Sequence, residues 1–166
     1  MITKKNLLNN LPLLIIIFIA FLIRFVWISE VPSAIGGDEL TYVINAKAMF
    51  LTGTDISGTW NPLTGFIFKY PAYTLPQAEF PYFLLAPFVG LLDFSLFSTR
   101  IVFVLLSVIT VFVVYLLTKT LFNKNAGLAA AFVMSINPWS IYMSRTAYES
   151  TPAILFYLLG FYLLLV

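Results

Sequence analysis

The chain has no cysteine and no histidine, and only 10% of its 166 residues are charged. Without cysteine there is no disulfide and no thiolate metal site, and the redox compartment leaves no trace. Without histidine there is no imidazole base, no Ser-His-Asp triad and no zinc site of the usual kind. Any acid–base chemistry therefore falls to carboxylates. The shortage of charge excludes the most. A soluble domain has roughly a quarter of its residues charged, and a chain this poor in charge could not cover its own surface with groups that water solvates. The net charge of +2, with no cluster of Lys and Arg, gives no footing for nucleic acid.

What the chain has in excess is hydrocarbon: 61% of residues are hydrophobic and the mean hydropathy is +0.97. Several apolar runs approach the roughly 20 residues that span a bilayer core. The reading is an all-α membrane protein, a polytopic helical bundle with spans at about 11–28, 97–118, 126–143 and 152–166. The last of these stops at Val166 inside its apolar run, as expected for the N-terminal part of a longer protein. The first run is longer than a signal-peptide core of about 7–15 residues, so it reads as a retained anchor. Lys4 and Lys5 ahead of it put the N-terminus in the cytoplasm. Gly127 and the alanines 129–131 offer a small-residue packing face, and Trp27, Trp60, Trp139 and Tyr142 read as interface anchors.

A long external loop, about 29–96, separates the first two spans. Its turn chemistry lies at Gly36-Gly37, Gly53-Thr54-Asp55, Ser57-Gly58 and Pro62. The breaker-free stretch 38–52 places Leu40, Val43, Ile44 and Leu51 at helical spacing, and Gly53 supplies a stop. It reads as a short amphipathic helix on the membrane surface. The apolar stretch 80–92 contains Pro81, Pro87 and Gly90 and reaches only about 20 Å, short of a core of about 30 Å. It reads as a re-entrant helix that does not cross. Residues 144–151 then share the outer face with the first loop, and all seven acids are external; if 80–92 crosses, the later loops swap sides. Basic residues do not decide between these, because either arrangement places four of the nine inside. Segment length favours the non-crossing arrangement.

Under that arrangement Asp38 and Glu39 follow the first span, Glu149 follows the third, and Arg24, Arg100 and Arg145 lie at outer span ends. A carboxylate at a membrane surface can deprotonate a hydroxyl or hold a divalent ion. A guanidinium at headgroup depth matches a phosphate. Together these would serve an enzyme that takes a phosphate-bearing lipid as donor and an alcohol as acceptor. Each residue also has a plainer reading. Asp38 suits a helix N-cap, Glu149 a solvated loop, and an arginine near a span end snorkels to the interface. Lys47 and Lys69 read as solvated, Asp55 as a turn residue.

The order of motifs narrows the choice. The chain runs from a first span to Gly37-Asp38-Glu39-x-x-Tyr42, then Pro81-Tyr82-Phe83-Leu84-Leu85 and Phe97-x-x-Arg100. Asn137-Pro138-Trp139, Ser144-Arg145 and Glu149 follow. This order resembles the GT-C superfamily of polytopic membrane glycosyltransferases, in the branch of protein O-mannosyltransferases and bacterial aminoarabinose transferases. The resemblance covers nearly the whole chain and is most specific at the acidic pair. It implies transfer of one sugar from a polyprenyl-phosphate donor to a lipid, glycan or protein acceptor, with inversion, at the extracytoplasmic face of the plasma membrane. By that resemblance Asp38 matches the catalytic base, with Glu39 and Tyr42 beside it, and Glu149 matches an acidic position lining the same cavity. Arg100 and Arg145 become candidates for the donor phosphate. Family members often carry His-Pro-Pro where this chain has Ala78-Glu79-Phe80-Pro81, and Asp where it has Glu149. No cofactor is assigned; a divalent metal is compatible with the carboxylates but is not assigned either. The competing class is a transporter or flippase subunit, which would place ionisable groups at mid-membrane. The stretches 101–117 and 126–143 carry none.

Overall fold

The computed structural model describes residues 4–58 and 80–166, with backbone alone for residues 4–9. Trp60, Pro62, Lys69, Ala78, Glu79 and the side chains of Lys4 and Lys5 lie outside the described residues. Seven helices and no strand occur among the described residues: α1 Lys4–Phe25, α2 Gly37–Thr52, α3 Phe80–Leu91, α4 Leu96–Leu121, α5 Lys124–Ile136, α6 Pro138–Ser144 and α7 Ser150–Leu165.

Helix α4 has 26 residues, about 39 Å of rise, and is long and apolar enough to cross a membrane by length and composition. Among the described residues it alone passes that test; α5, α7 and the 10–25 part of α1 are shorter apolar helices. Ser95 starts α4 by a reciprocal cap. Its Oγ accepts from Ser98 N at 3.2 Å, and its own N–H donates to Ser98 Oγ at 3.1 Å.

The apolar stretch 126–143, expected as one span, is two helices. Asn137 breaks it with an extended backbone (φ −63°, ψ 119°), and its side chain accepts from Ser140 N at 2.9 Å. The cause is Pro138, which disfavours helical geometry in the residue before it and suits the first position of a new helix.

Two cores hold the helices together. Leu13 and Ala20 of α1 meet Val111 and Tyr115 of α4 and Ala131 of α5. Here Gly127 lets α5 lie against α4 so closely that a Cβ would stand 2.9 Å from the Tyr115 carbonyl oxygen. In the second core Tyr42, Val43, Ala46 and Met49 of α2 pack on Tyr82, Leu85 and Val89 of α3, with Val102 and Phe103 of α4 and Ala147. Spacing of three to four residues on both helices makes each apolar stripe continuous. Lys47, expected to be solvated, is half-buried and engaged. Its Nζ donates to Val89 O at 2.8 Å and Gly90 O at 3.4 Å, which caps the C-terminus of α3.

The connector after α1 and the first turn of α4 meet at one end of the bundle. Arg100 Nη1 donates to Ile28 O at 3.0 Å and Pro32 O at 2.9 Å, and Nη2 to Ala34 O at 3.3 Å. The Val31–Pro32 peptide bond in that connector is cis. Helix α1 therefore leaves, and α4 begins, at the same end, with α2 and α3 between them in the chain.

Candidate active site

Four segments meet at that end: the start of α2, the start of α4, α6 and the link from Arg145 to Glu149. Helix α2 starts behind Gly36, an N-cap with no side chain to close its first turn. The closure comes from Glu39, whose Oε2 accepts from Gly36 N at 3.3 Å. The other oxygen of Glu39 accepts from Arg100 Nε and from Ala147 N, each at 3.2 Å. Glu39 is 1% exposed and Arg100 fully buried. An unpaired charge here would be costly, so this pair fixes the relative positions of α2, α4 and the 145–149 link.

Asp38 differs from its neighbour. It stands on the first turn of α2, exposed, and its carboxylate makes no hydrogen bond or ion pair among the described residues. It is not the cap; the cap is Gly36. Expected as one acidic pair, the two carboxylates part: Glu39 faces in and Asp38 faces out.

One turn further along α2, Tyr42 is 3% exposed and its Oη donates to Glu149 Oε2 at 2.8 Å. The phenol lies 5.6 Å, centroid to centroid, from the ring of Tyr82. Burial pushes the Tyr42 pKa well above the ordinary phenol value, followed by the hydrogen bond and charge of Glu149, then Tyr82 and Asp38. Tyr42 is thus a fixed donor at neutral pH. Because Asp38 and Glu149 both act on it, one small region holds Asp38, Tyr42 and Glu149. Glu149 itself is exposed, with a helical backbone and no capping hydrogen bond to α7.

The arginines divide by their free N–H groups. All five donors of Arg24 are engaged: Nε to Ser107 Oγ (2.8 Å), Nη1 to Ala20 O (3.2 Å) and Ser135 O (2.7 Å), Nη2 to Met134 O (3.1 Å) and Ser140 Oγ (2.9 Å). Fully buried, it closes the C-terminal carbonyls of α5 and has no capacity for a phosphate. Arg100 is sealed by Glu39 and three carbonyls. Arg145 closes the C-terminus of α1 through Nε to Arg24 O (3.3 Å) and Nη2 to Ile23 O and to Val26 O (2.8 Å). Its Nη1 has no partner among the described residues, and the residue is only half-buried. Of the three guanidiniums, Arg145 keeps donors for a ligand.

Sequence reasoning missed Tyr148. Its hydroxyl approaches Gly36 so closely that a Cβ there would lie 2.4 Å from it. Burial raises its pKa, followed by Glu39, Asp38, Tyr142 and Glu149, so the phenol stands among all three acids. The only signal in the sequence was its place next to Glu149. No group of three or more possible metal ligands gathers among the described residues.

The chain is a membrane glycosyltransferase of the mannosyltransferase kind. Residues 76–166 match the family model of dolichyl-phosphate-mannose-protein mannosyltransferase, and the chain belongs to that family. The match takes in α3 to α7, with Arg100, Arg145 and Glu149; Asp38, Glu39 and Tyr42 lie ahead of it. No curated protein and no solved structure matches the chain.

Proposed function

We propose that the chain moves a sugar from a polyprenyl-phosphate donor to an acceptor hydroxyl at the extracytoplasmic membrane face, with inversion, and that Asp38 is the general base. The observation that carries this reading is the Tyr42–Glu149 hydrogen bond, which ties the start of α2 to the start of α7 beside the unpartnered Asp38. Asp38 is the acid free to accept a proton. The acceptor O–H gives its proton to this carboxylate as the new bond to the anomeric carbon forms. The bond from that carbon to the phosphate oxygen breaks, and its electron pair leaves on the lipid phosphate. Phosphate is a good leaving group, so no protein acid is needed on that side.

Arg145 Nη1 is the donor best placed for the developing phosphate charge, by charge-assisted hydrogen bonding. Glu39 and Arg100 act through position. They hold Gly36 and Ala147, and so set Asp38 against the 145–149 link. Glu149, fixed by Tyr42, offers its remaining acceptor capacity to hydroxyls.

The test is Asp38→Asn in the full-length protein reconstituted in liposomes with dolichyl-phosphate mannose. Sugar transfer should fall by about 10²–10⁴, the usual contribution of a positioned base, with membrane insertion unchanged. Transfer at the wild-type rate would remove Asp38 from the mechanism.

A further inference from the structure

Tyr42 and Tyr148 are two phenols in one acidic site, but their protons differ. The Tyr42 proton is committed to Glu149 at 2.8 Å. Tyr148 Oη has no hydrogen-bond partner among the described residues, and no buried side-chain polar atom there lacks one, so this hydroxyl is open to solvent. The surrounding side chains Asp38, Glu39 and Glu149 are acceptors only when ionised. Glu39 is already saturated by Arg100, Ala147 N and Gly36 N. Among the described residues the Tyr148 O–H is thus an uncommitted side-chain donor at the site, as are Arg145 Nη1 and the exposed Tyr142 O–H. Its ring is seated by Gly36, where any Cβ would force the hydroxyl aside. Depression of its acidity by burial and by the nearby carboxylates keeps the proton in place at neutral pH.

We infer that Tyr148 is a sugar-binding residue that donates its phenolic hydrogen bond to a hydroxyl of the lipid-linked donor's sugar ring. The inference rests on the donor and site of the proposed function. Its geometric basis is the 145–149 link: Arg145, with free Nη1 donors, lies three residues before Tyr148, so their Cα atoms are at most about 11 Å apart. In this inference a phosphate held at Arg145 directs the sugar attached to it along the link towards Tyr148 and Glu149. There a donor (Tyr148) and an acceptor (Glu149) sit next to each other, as a ring hydroxyl requires.

The experiment compares binding of dolichyl-phosphate mannose with binding of bare dolichyl phosphate to the full-length protein in detergent, for wild type, Tyr148→Phe and Gly36→Ala. Wild type should prefer the mannosylated lipid. Tyr148→Phe should lose about threefold to tenfold of that preference, the range for one neutral hydrogen bond, while keeping its affinity for dolichyl phosphate. Gly36→Ala should lose the preference likewise by displacing the ring. A merely structural role would weaken both lipids together, and that result overturns the inference, as does a full wild-type preference in Tyr148→Phe. If wild type itself shows no preference for the mannosylated lipid, the proposed donor falls and this inference with it.

Discussion

Removing either partner of the Glu39–Arg100 pair should destabilise the protein strongly, and removing both should cost less than the sum. The pair is 3.2 Å apart, with side-chain exposures of 1% and 0%. Glu39→Ala leaves a buried guanidinium without its counter-charge and strips Ala147 N and Gly36 N of their acceptor. Arg100→Met leaves Glu39 buried with two backbone donors and frees the carbonyls of Ile28, Pro32 and Ala34. Breaking a buried pair from one side costs about 3–5 kcal/mol. The double variant loses the pair without stranding a charge, so the two changes should couple by about 2–3 kcal/mol. The assay is denaturant unfolding of the full-length protein in micelles, followed by tryptophan fluorescence, for wild type, both singles and the double. Energies that add to within about 0.5 kcal/mol would show that the two side chains do not interact and would refute the positioning role. Activity supplies a second readout: the double variant should regain stability but not sugar transfer, because Asp38 and the 145–149 link are no longer registered.

Arg145→Met should raise the KM for dolichyl-phosphate mannose at least about tenfold, the loss of one charged hydrogen bond; an unchanged KM would assign Arg145 wholly to the α1 terminus. Tyr42 and Tyr148 have pKa values raised above the ordinary phenol value. Their contribution to stability is therefore full below about pH 10, where unfolded tyrosine keeps its proton, and is lost as pH rises beyond it. Tyr42→Phe should reduce this alkaline loss in a pH series of unfolding midpoints. Gly127→Ala should destabilise by about 1–3 kcal/mol, because its Cβ would meet the Tyr115 carbonyl at 2.9 Å and backbone cannot step aside; thermal unfolding checks it.

Local signals in the sequence were sufficient for some elements and silent for others. The extent of helix α2 was readable from its breaker-free stretch and from Gly53, whose φ of 74° and N–H to Met49 O at 2.9 Å make the stop that glycine allows. Its face was not: Leu40, Ile44 and Leu51 are exposed, while Tyr42, Asn45 and Met49 are buried. The break at Asn137-Pro138 was also written in the sequence, but a strongly apolar run on both sides obscured it. What could not be read was the use of each charge. Arg24, Arg145 and Lys47 close helix C-termini that lie 42 to 122 residues away in the chain. Snorkelling and phosphate binding were the readings available from one dimension; carbonyl capping needs the third. For the same reason residue type alone did not separate Asp38 from Glu39, and only the resemblance put the base at Asp38. Only the burial of one face of α2 separates a structural carboxylate from a free one.

The placement of helix termini gives this end of the bundle its electrostatic character. Helices α2, α4 and α7 all begin here, since Glu39 on the first turn of α2 bonds both Arg100 on the first turn of α4 and Ala147 just ahead of α7. Each start presents the positive end of a helix dipole. Arg24, Arg100 and Arg145 add three positive charges, while among the described residues Glu39 is the one buried acid. In a low-dielectric bundle that excess favours an anion near Arg145, where N–H groups remain open. Asp38 and Glu149 are exposed, so solvent screens their charges more than those of the buried side chains. An anionic lipid phosphate on the bundle side and a neutral hydroxyl on the solvent side are the two ligands this polarity suits. Reversing it with Arg145→Glu should abolish dolichyl phosphate binding. Retained binding in that variant would mean that the phosphate lies elsewhere.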